Sequence, residues 1–251
     1  MSTTALEIDT PQLGATQLVA RPGTLPTVTF PVLRDSGTDV AGIWEYLSAP
    51  ADFFAVPMPG LDELDAAIAG FAATVGSSAR PTLAAVSVTI AEADGAPQIL
   101  VSGQTVTSVR RDAVRIAGGD STSPAHHSTD PWWRRMAART TSRGDLDQLE
   151  RWLNGRGFAD AIAADVPLLG ALVVQSGDDV VGVENPEPTS ILDQLERCGA
   201  ISALGRIGAL PAGAERAWWI SPRYETHPVA EVDGTSFPAD TEVVPPFTRW
   251  S

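Results

Sequence analysis

From Gly118 to Thr129 the chain reads GGDSTSPAHHST, a stretch with no apolar side chain beyond Pro124 and Ala125. Residues of this kind cannot join a packed core, so the sequence on either side must bury its apolar faces with its own partners. The chain has 251 residues, enough for a domain of ordinary size on each side. The expected organisation is an N-terminal α+β domain over 1–117, a linker over 118–130 and a C-terminal α+β domain over 131–251.

Apolar periodicity supports that division. Residues 16–20 and Thr27–Leu33 are β-branched and apolar around a turn at Pro22, Gly23 and Pro26, which predicts two strands. Residues 40–47 read as a strand running into a short helix. Leu61, Leu64, Ile68, Phe71 and Val75 recur at helical spacing, with Asp62 and Glu63 where the helix dipole favours acids, so a helix is expected over 61–75. Strands are expected over 82–90, 98–101 and 106–116, the first two joined by an Asp94-Gly95 turn. Beyond the linker, Ser142 is placed to cap a helix over 145–153, and residues 168–175 and 180–184 form a hairpin around Gly177-Asp178. Thr189 or Ser190 caps a short helix over 191–198, and strands over 217–221 and 229–232 precede an Asp233-Gly234 turn.

Charge removes several function classes. Acidic residues number 31 against 17 basic ones, for a formal charge of −14 and a pI near 4.5. A chain so acidic is a poor binder of nucleic acid or anionic membrane, since phosphates require a basic face. No apolar run is long enough to span a bilayer, and MSTTALEID carries neither a basic region nor an apolar core, so no secretory signal is expected. The single Cys198 cannot form an internal disulfide and fits a cytoplasmic protein. Every basic residue is arginine, and the chain contains no lysine. That usage, with abundant Ala, Gly and Pro, has the look of an actinobacterial, high-GC composition. His126-His127 lacks further ligands at metal spacing, so no metal is expected. No nucleophile elbow or phosphate-binding glycine loop is present.

The basic residues are concentrated in one place. Arg134, Arg135, Arg139 and Arg143 fall within ten residues of each other, behind Trp132-Trp133. Here a family resemblance enters. Phe30-Pro31-Val32-Leu33-Arg34 resembles the early strand of class IV aminotransferases, which ends in a leucine-arginine pair. Val56-Pro57-Met58-Pro59 and Leu61-Asp62-Glu63-Leu64 are similar to its proline-rich break and second helix. Arg139-Thr140-Thr141-Ser142-Arg143 resembles the lysine-threonine-threonine run that opens the family's second domain, and residues 217–233 resemble its late strand-loop-strand. The family includes branched-chain and D-amino-acid aminotransferases and 4-amino-4-deoxychorismate lyase. The resemblance implies the two-domain α+β architecture of fold-type IV pyridoxal-phosphate enzymes, and a homodimer or a pairing with a paralogue.

The departures matter as much. The family's aldimine-forming lysine is replaced by Arg139. A guanidinium stays protonated in proteins and has no free lone pair to offer a carbonyl, so the resemblance carries no aldimine chemistry here. The family's phosphate-holding arginine falls at 46–49, where this chain has none, and its later phosphate cup has only a weak counterpart at Gly205-Arg206. Binding of pyridoxal phosphate is therefore not expected.

What remains as a candidate site is an anion pocket between the domains. Arg139 and Arg143 would grip a small carboxylate, and Thr140 and Thr141 would donate hydroxyls to it. Glu184, or Glu187 in its place, matches the family's cofactor-facing glutamate, and Thr189 and Ser190 match its hydroxyl pair. Glu184 could pair with Arg139 or Arg143, or simply end a strand. The arginines also admit a plainer reading as surface side chains paired with the many acids. The Trp132-Trp133 and Trp218-Trp219 pairs read as core or interface anchors, His227 as structural or pocket-lining, and Cys198 as inert packing. Two functions stay open. One is a cofactor-independent enzyme or binder of a chorismate-derived or amino-acid-like acid. The other is a pseudoenzyme that acts by association, with the Trp pairs and the tail Val244-Pro245-Pro246-Phe247 as surfaces.

Overall fold

A computed structural model of the chain describes residues 25–33, 37–74, 82–106, 112–118, 132–142, 144–163, 165–184 and 190–250. They divide into two compact units. The expected strand at 16–20 and the region 107–111 lie outside the described residues.

The first unit contains a three-stranded sheet ordered β1 (Thr27–Leu33), β2 (Leu83–Ala93), β3 (Ala96–Val106). Asp94 and Gly95, both with positive φ, turn β2 into β3, the geometry that lets a two-residue turn follow the strand twist. Two helices cover the sheet, α1 (Val40–Phe53) and α2 (Leu61–Ala72). The region expected to begin as a strand is helical throughout. Asp39 caps it by accepting the Gly42 N–H at 2.9 Å, and Ile43, Leu47 and Ala51 fall on one buried face. Helix α2 begins at Gly60, whose N–H the Glu63 carboxylate accepts at 2.9 Å. Leu64, Ile68 and Phe71 join Val28, Phe30, Val32, Val86, Val88 and Ile90 in one core. A Cβ at Gly103 would lie 2.7 Å from both the Ala85 carbonyl oxygen and Phe71 Cζ, so only glycine lets α2 settle there.

A short helix, α3 (Trp132–Ala137), also belongs to this unit and packs on α1. Behind it, Pro26 and Thr140 form an antiparallel bridge. The Arg139 carbonyl accepts the Thr27 N–H at 2.9 Å, and the Thr141 N–H donates to the Leu25 carbonyl at 2.9 Å.

In the second unit a curled sheet runs in the order β6 (Val166–Pro167), β5 (Asp160–Ala163), β4 (Val114–Gly118), β11 (Thr226–Val232), β10 (Arg216–Ile220), β7 (Ala171–Ser176), β8 (Asp179–Val183), β9 (Gly205–Ile207), with β12 (Thr235–Ser236) paired to β11. Helix α4 (Gly144–Asn154) precedes β5, and α5 (Ile191–Arg197) precedes β9. Strand β4 runs parallel to both neighbours, β5 and β11. Leu172, Val174, Val183, Ala217, Trp219, Val229 and Ile116 form the core on one face.

The unit boundary differs from the expected one. Strand β4 precedes the polar stretch yet lies in the second unit, and α3 with the Arg139 run follows it yet lies in the first. Sheet pairing and the bridge to Pro26 decide this, and neither is visible in local composition. The proline-rich tail is packed in part, with Pro245 and Phe247 buried while Val244 and Pro246 stay exposed. Phe247 is buried edge-on against Trp218, with centroids 5.6 Å apart. The Ser202 N–H donates to the Phe247 carbonyl and the Arg249 N–H to the Ala200 carbonyl, so the tail is part of the second unit.

Candidate functional site

In the first unit the Arg139-Thr140-Thr141 run is anchored residue by residue. The Arg139 N–H donates to the Met136 carbonyl at 3.1 Å while its own carbonyl is held by Thr27. Thr140 is fully buried. Its hydroxyl donates to the Ala137 carbonyl at 2.8 Å and accepts the Ser142 N–H at 3.1 Å, a turn-forming role. The hydroxyl expected to face a ligand is thus committed to the backbone. Thr141 is exposed and accepts the Leu25 N–H at 3.4 Å.

With its backbone fixed, Arg139 lays its guanidinium over the Tyr46 ring, 4.5 Å from the centroid. No carboxylate among the described residues pairs with it. Arg135 lies over Trp132 at 5.0 Å, with its Nε buried and without a hydrogen-bond partner among the described residues. These two arginines therefore rest on separate aromatic rings. Arg143 lies outside the described residues, as do Thr189 and Glu187. Trp132 and Trp133 are 52% and 60% exposed, not core, whereas Trp218 and Trp219 are buried.

In the second unit Glu184 and Ser190 meet, at the foot of α5. The cation that Glu184 takes is Arg206, not Arg139. Its Oε1 accepts Arg206 Nε at 3.0 Å and its Oε2 accepts the Leu192 N–H at 3.2 Å. Burial pushes its carboxyl above the ordinary range, opposed by the Leu192 N–H, the Ser190 hydroxyl and Arg206. Ser190 also caps α5, accepting the Asp193 N–H at 3.3 Å. Arg206 reaches Glu196 through Nη1 at 2.8 Å and Asp193 through Nη2 at 3.0 Å, so all three of its nitrogens are engaged by acids of the same unit.

The sequence reading missed a second buried acid. Asp160 is fully buried and accepts five N–H groups, from Ala161, Leu168, Leu169, Gly170 and, at 2.9 Å, Trp219 Nε1. Burial drives its carboxyl up, against those donors. The nearest sequence cue is an aspartate in an otherwise apolar strand. His227 uses Nδ1 toward the Asp112 carbonyl at 3.0 Å and packs its ring against Trp219. Cys198 is buried, its thiol donating to the Leu195 carbonyl, and burial pushes that thiol up.

No family model matches the sequence, and no curated protein does. Solved structures do. A hypothetical aminotransferase from Mycobacterium tuberculosis is 21% identical with a TM-score of 0.63, over 94% of this chain and 90% of its own. A fold IV-transaminase from Curtobacterium pusillum is 17% identical, with a TM-score of 0.59 over 94% of this chain and 88% of its own. The chain has the fold-type IV aminotransferase fold. A branched-chain aminotransferase from Thermoproteus uzoniensis agrees at 14% identity and a TM-score of 0.55, over 92% of this chain and 85% of its own. This class IV aminotransferase-like fold bears out the expected α+β architecture. Among the described residues no helix is long and apolar enough to cross a membrane, and no group of ligands suits a metal ion.

Proposed function

We propose that this chain is an aminotransferase-fold protein that works without pyridoxal phosphate and holds a small carboxylate, chorismate-derived or amino-acid-like, at Arg139. The observation that carries the reading is Arg139 itself. It stands where the family has its lysine, is pinned by its backbone, lies over the Tyr46 ring and has no acidic partner among the described residues. A planar guanidinium so held offers its edge N–H groups to a carboxylate as a fork.

The residues that the resemblance would assign to the cofactor do not fit it. There is no lysine for an aldimine. Glu184 spends both oxygens on Arg206 and the α5 backbone, and Arg206 is neutralised by three carboxylates rather than open to a phosphate. The mycobacterial protein was solved in a form with PLP bound and in one with alpha-ketoglutarate and PMP, and on this reading the present chain has left that chemistry behind. A cytoplasmic location fits the single, buried thiol.

The test is calorimetric titration of the protein with monocarboxylates, dicarboxylates and chorismate-derived acids, alongside Arg139→Ala. Saturable binding that weakens about tenfold or more in the variant supports the reading. Binding unaffected by the variant, or none at all, removes it. Treatment with pyridoxal phosphate and borohydride should label nothing beyond the chain's α-amino group, and a specific internal adduct refutes cofactor independence. A second reading is favoured by the exposed Trp132 and Trp133: a non-catalytic partner that pairs with itself or with an active paralogue. Concentration-dependent sedimentation abolished by Trp132→Ser with Trp133→Ser would support it.

A further inference from the structure

Resting on the carboxylate reading above, we propose that Tyr46 is the positioning residue of this site, and that the site selects a planar monocarboxylate over a phosphate. Tyr46 stands on α1 and packs, partly buried, against the same first-unit core that Ile43, Leu47 and Ala51 enter. Its ring therefore has a fixed place, and Arg139 lies on it at 4.5 Å. The Arg139 main chain is fixed independently, by Thr27 and Met136. A flexible side chain held at both its root and its face loses little freedom when it binds, which is what a preorganised fork requires.

Arg135 shares the aromatic support, over Trp132, but its Nε is buried; Arg115, Arg156 and Arg206 are arranged differently. Arg115 is spent on Glu231 at 2.9 Å and Arg206 on three acids. Arg156 lies on Trp152 at 4.0 Å but also donates to the Trp152 carbonyl. The charge of the ligand follows from the field around the fork. One guanidinium in a chain of formal charge −14 balances a single negative charge, whereas inorganic phosphate near neutral pH carries more than one.

The experiment uses the full chain with isotope-labelled arginine, so that the Arg139 side-chain resonances can be followed by NMR, with sodium benzoate and inorganic phosphate as probes at matched ionic strength. Ring-current displacement of the Arg139 side-chain protons should be present in the free protein and lost in Tyr46→Leu, while Tyr46→Phe keeps it. Benzoate should move the Arg139 Nε–H resonance saturably, with affinity reduced about two- to thirty-fold in Tyr46→Leu and kept in Tyr46→Phe; phosphate should bind more weakly. An undisplaced Arg139 in the wild-type chain overturns the positioning role without any variant having to fold. Benzoate binding equal in Tyr46→Leu overturns it while leaving the carboxylate reading intact. Phosphate binding as tight as benzoate overturns the selectivity. An Arg139 indifferent to benzoate removes both the inference and the reading beneath it.

Discussion

Asp160 shows how much one side chain can organise. Its carboxylate gathers the N–H groups of Leu168, Leu169 and Gly170 and the Trp219 indole, with no cation beside it among the described residues. Every one of these partners is a donor, so they suit an acceptor-only anion. In Asp160→Asn the amide would turn two N–H groups of its own toward that crowd, leaving buried donors unsatisfied. Each such group costs about 1–3 kcal/mol, and the variant should lose about 2–4 kcal/mol of stability, read as a lower urea midpoint at unchanged slope. A midpoint within error of wild type would mean the cage is not formed. Gly170 belongs to the same device. A Cβ there would lie 2.3 Å from Trp219 Nε1 and 2.4 Å from the Ile220 carbonyl oxygen, so Gly170→Ala should cost about 1–3 kcal/mol through overpacking.

At the scale of elements, α5 is the instructive case. Seven residues are too few to be helical alone, yet α5 buries Leu192 and Leu195, with Leu192 packed over Gly182 of β8. It is held by the Ser190 cap, by Glu184 on the Leu192 N–H and by Arg206 on Asp193 and Glu196. Arg206→Ala would leave the buried Glu184 without its counter-charge, at about 2–4 kcal/mol, and amide exchange along α5 should quicken. The pH dependence has a definite sign. The folded-state Glu184 carboxyl is already raised by burial, so its favourable share is present at low pH and lost as pH rises through that value. Removing Arg206 raises it further. The variant's deficit should therefore be widest at neutral pH and narrow as pH falls through the carboxylate range. A deficit independent of pH would show that Glu184 is not the residue left stranded.

For the whole molecule, the interleaving of the chain is decisive. Cut at the polar stretch, the fragment 131–251 loses β4, the strand that joins β5 to β11 by parallel pairing on both sides. The fragment 1–130 loses α3 and the bridge to Pro26. Neither fragment alone should show a cooperative unfolding transition, while co-expression of 1–130 with 131–251 should restore one. A fragment 131–251 that folds independently would contradict a sheet in which β4 sits between β5 and β11.

The pattern of local signals, periodicity, turn glycines and caps, was enough to place α2, α5 and the β2–β3, β7–β8 and β10–β11 strands, because each rests on neighbours in sequence. The replacement of a lysine by Arg139 was legible too, since covalent chemistry follows from residue type alone. Tertiary structure decided the rest. Which strands share a sheet, which acid takes Arg206, which donors surround Asp160 and which ring carries Arg139 all depend on contacts between residues far apart in the chain. Residues 46 and 139 lie in different halves of the sequence, and only packing α1 beside the end of α3 puts the Tyr46 ring under the Arg139 guanidinium.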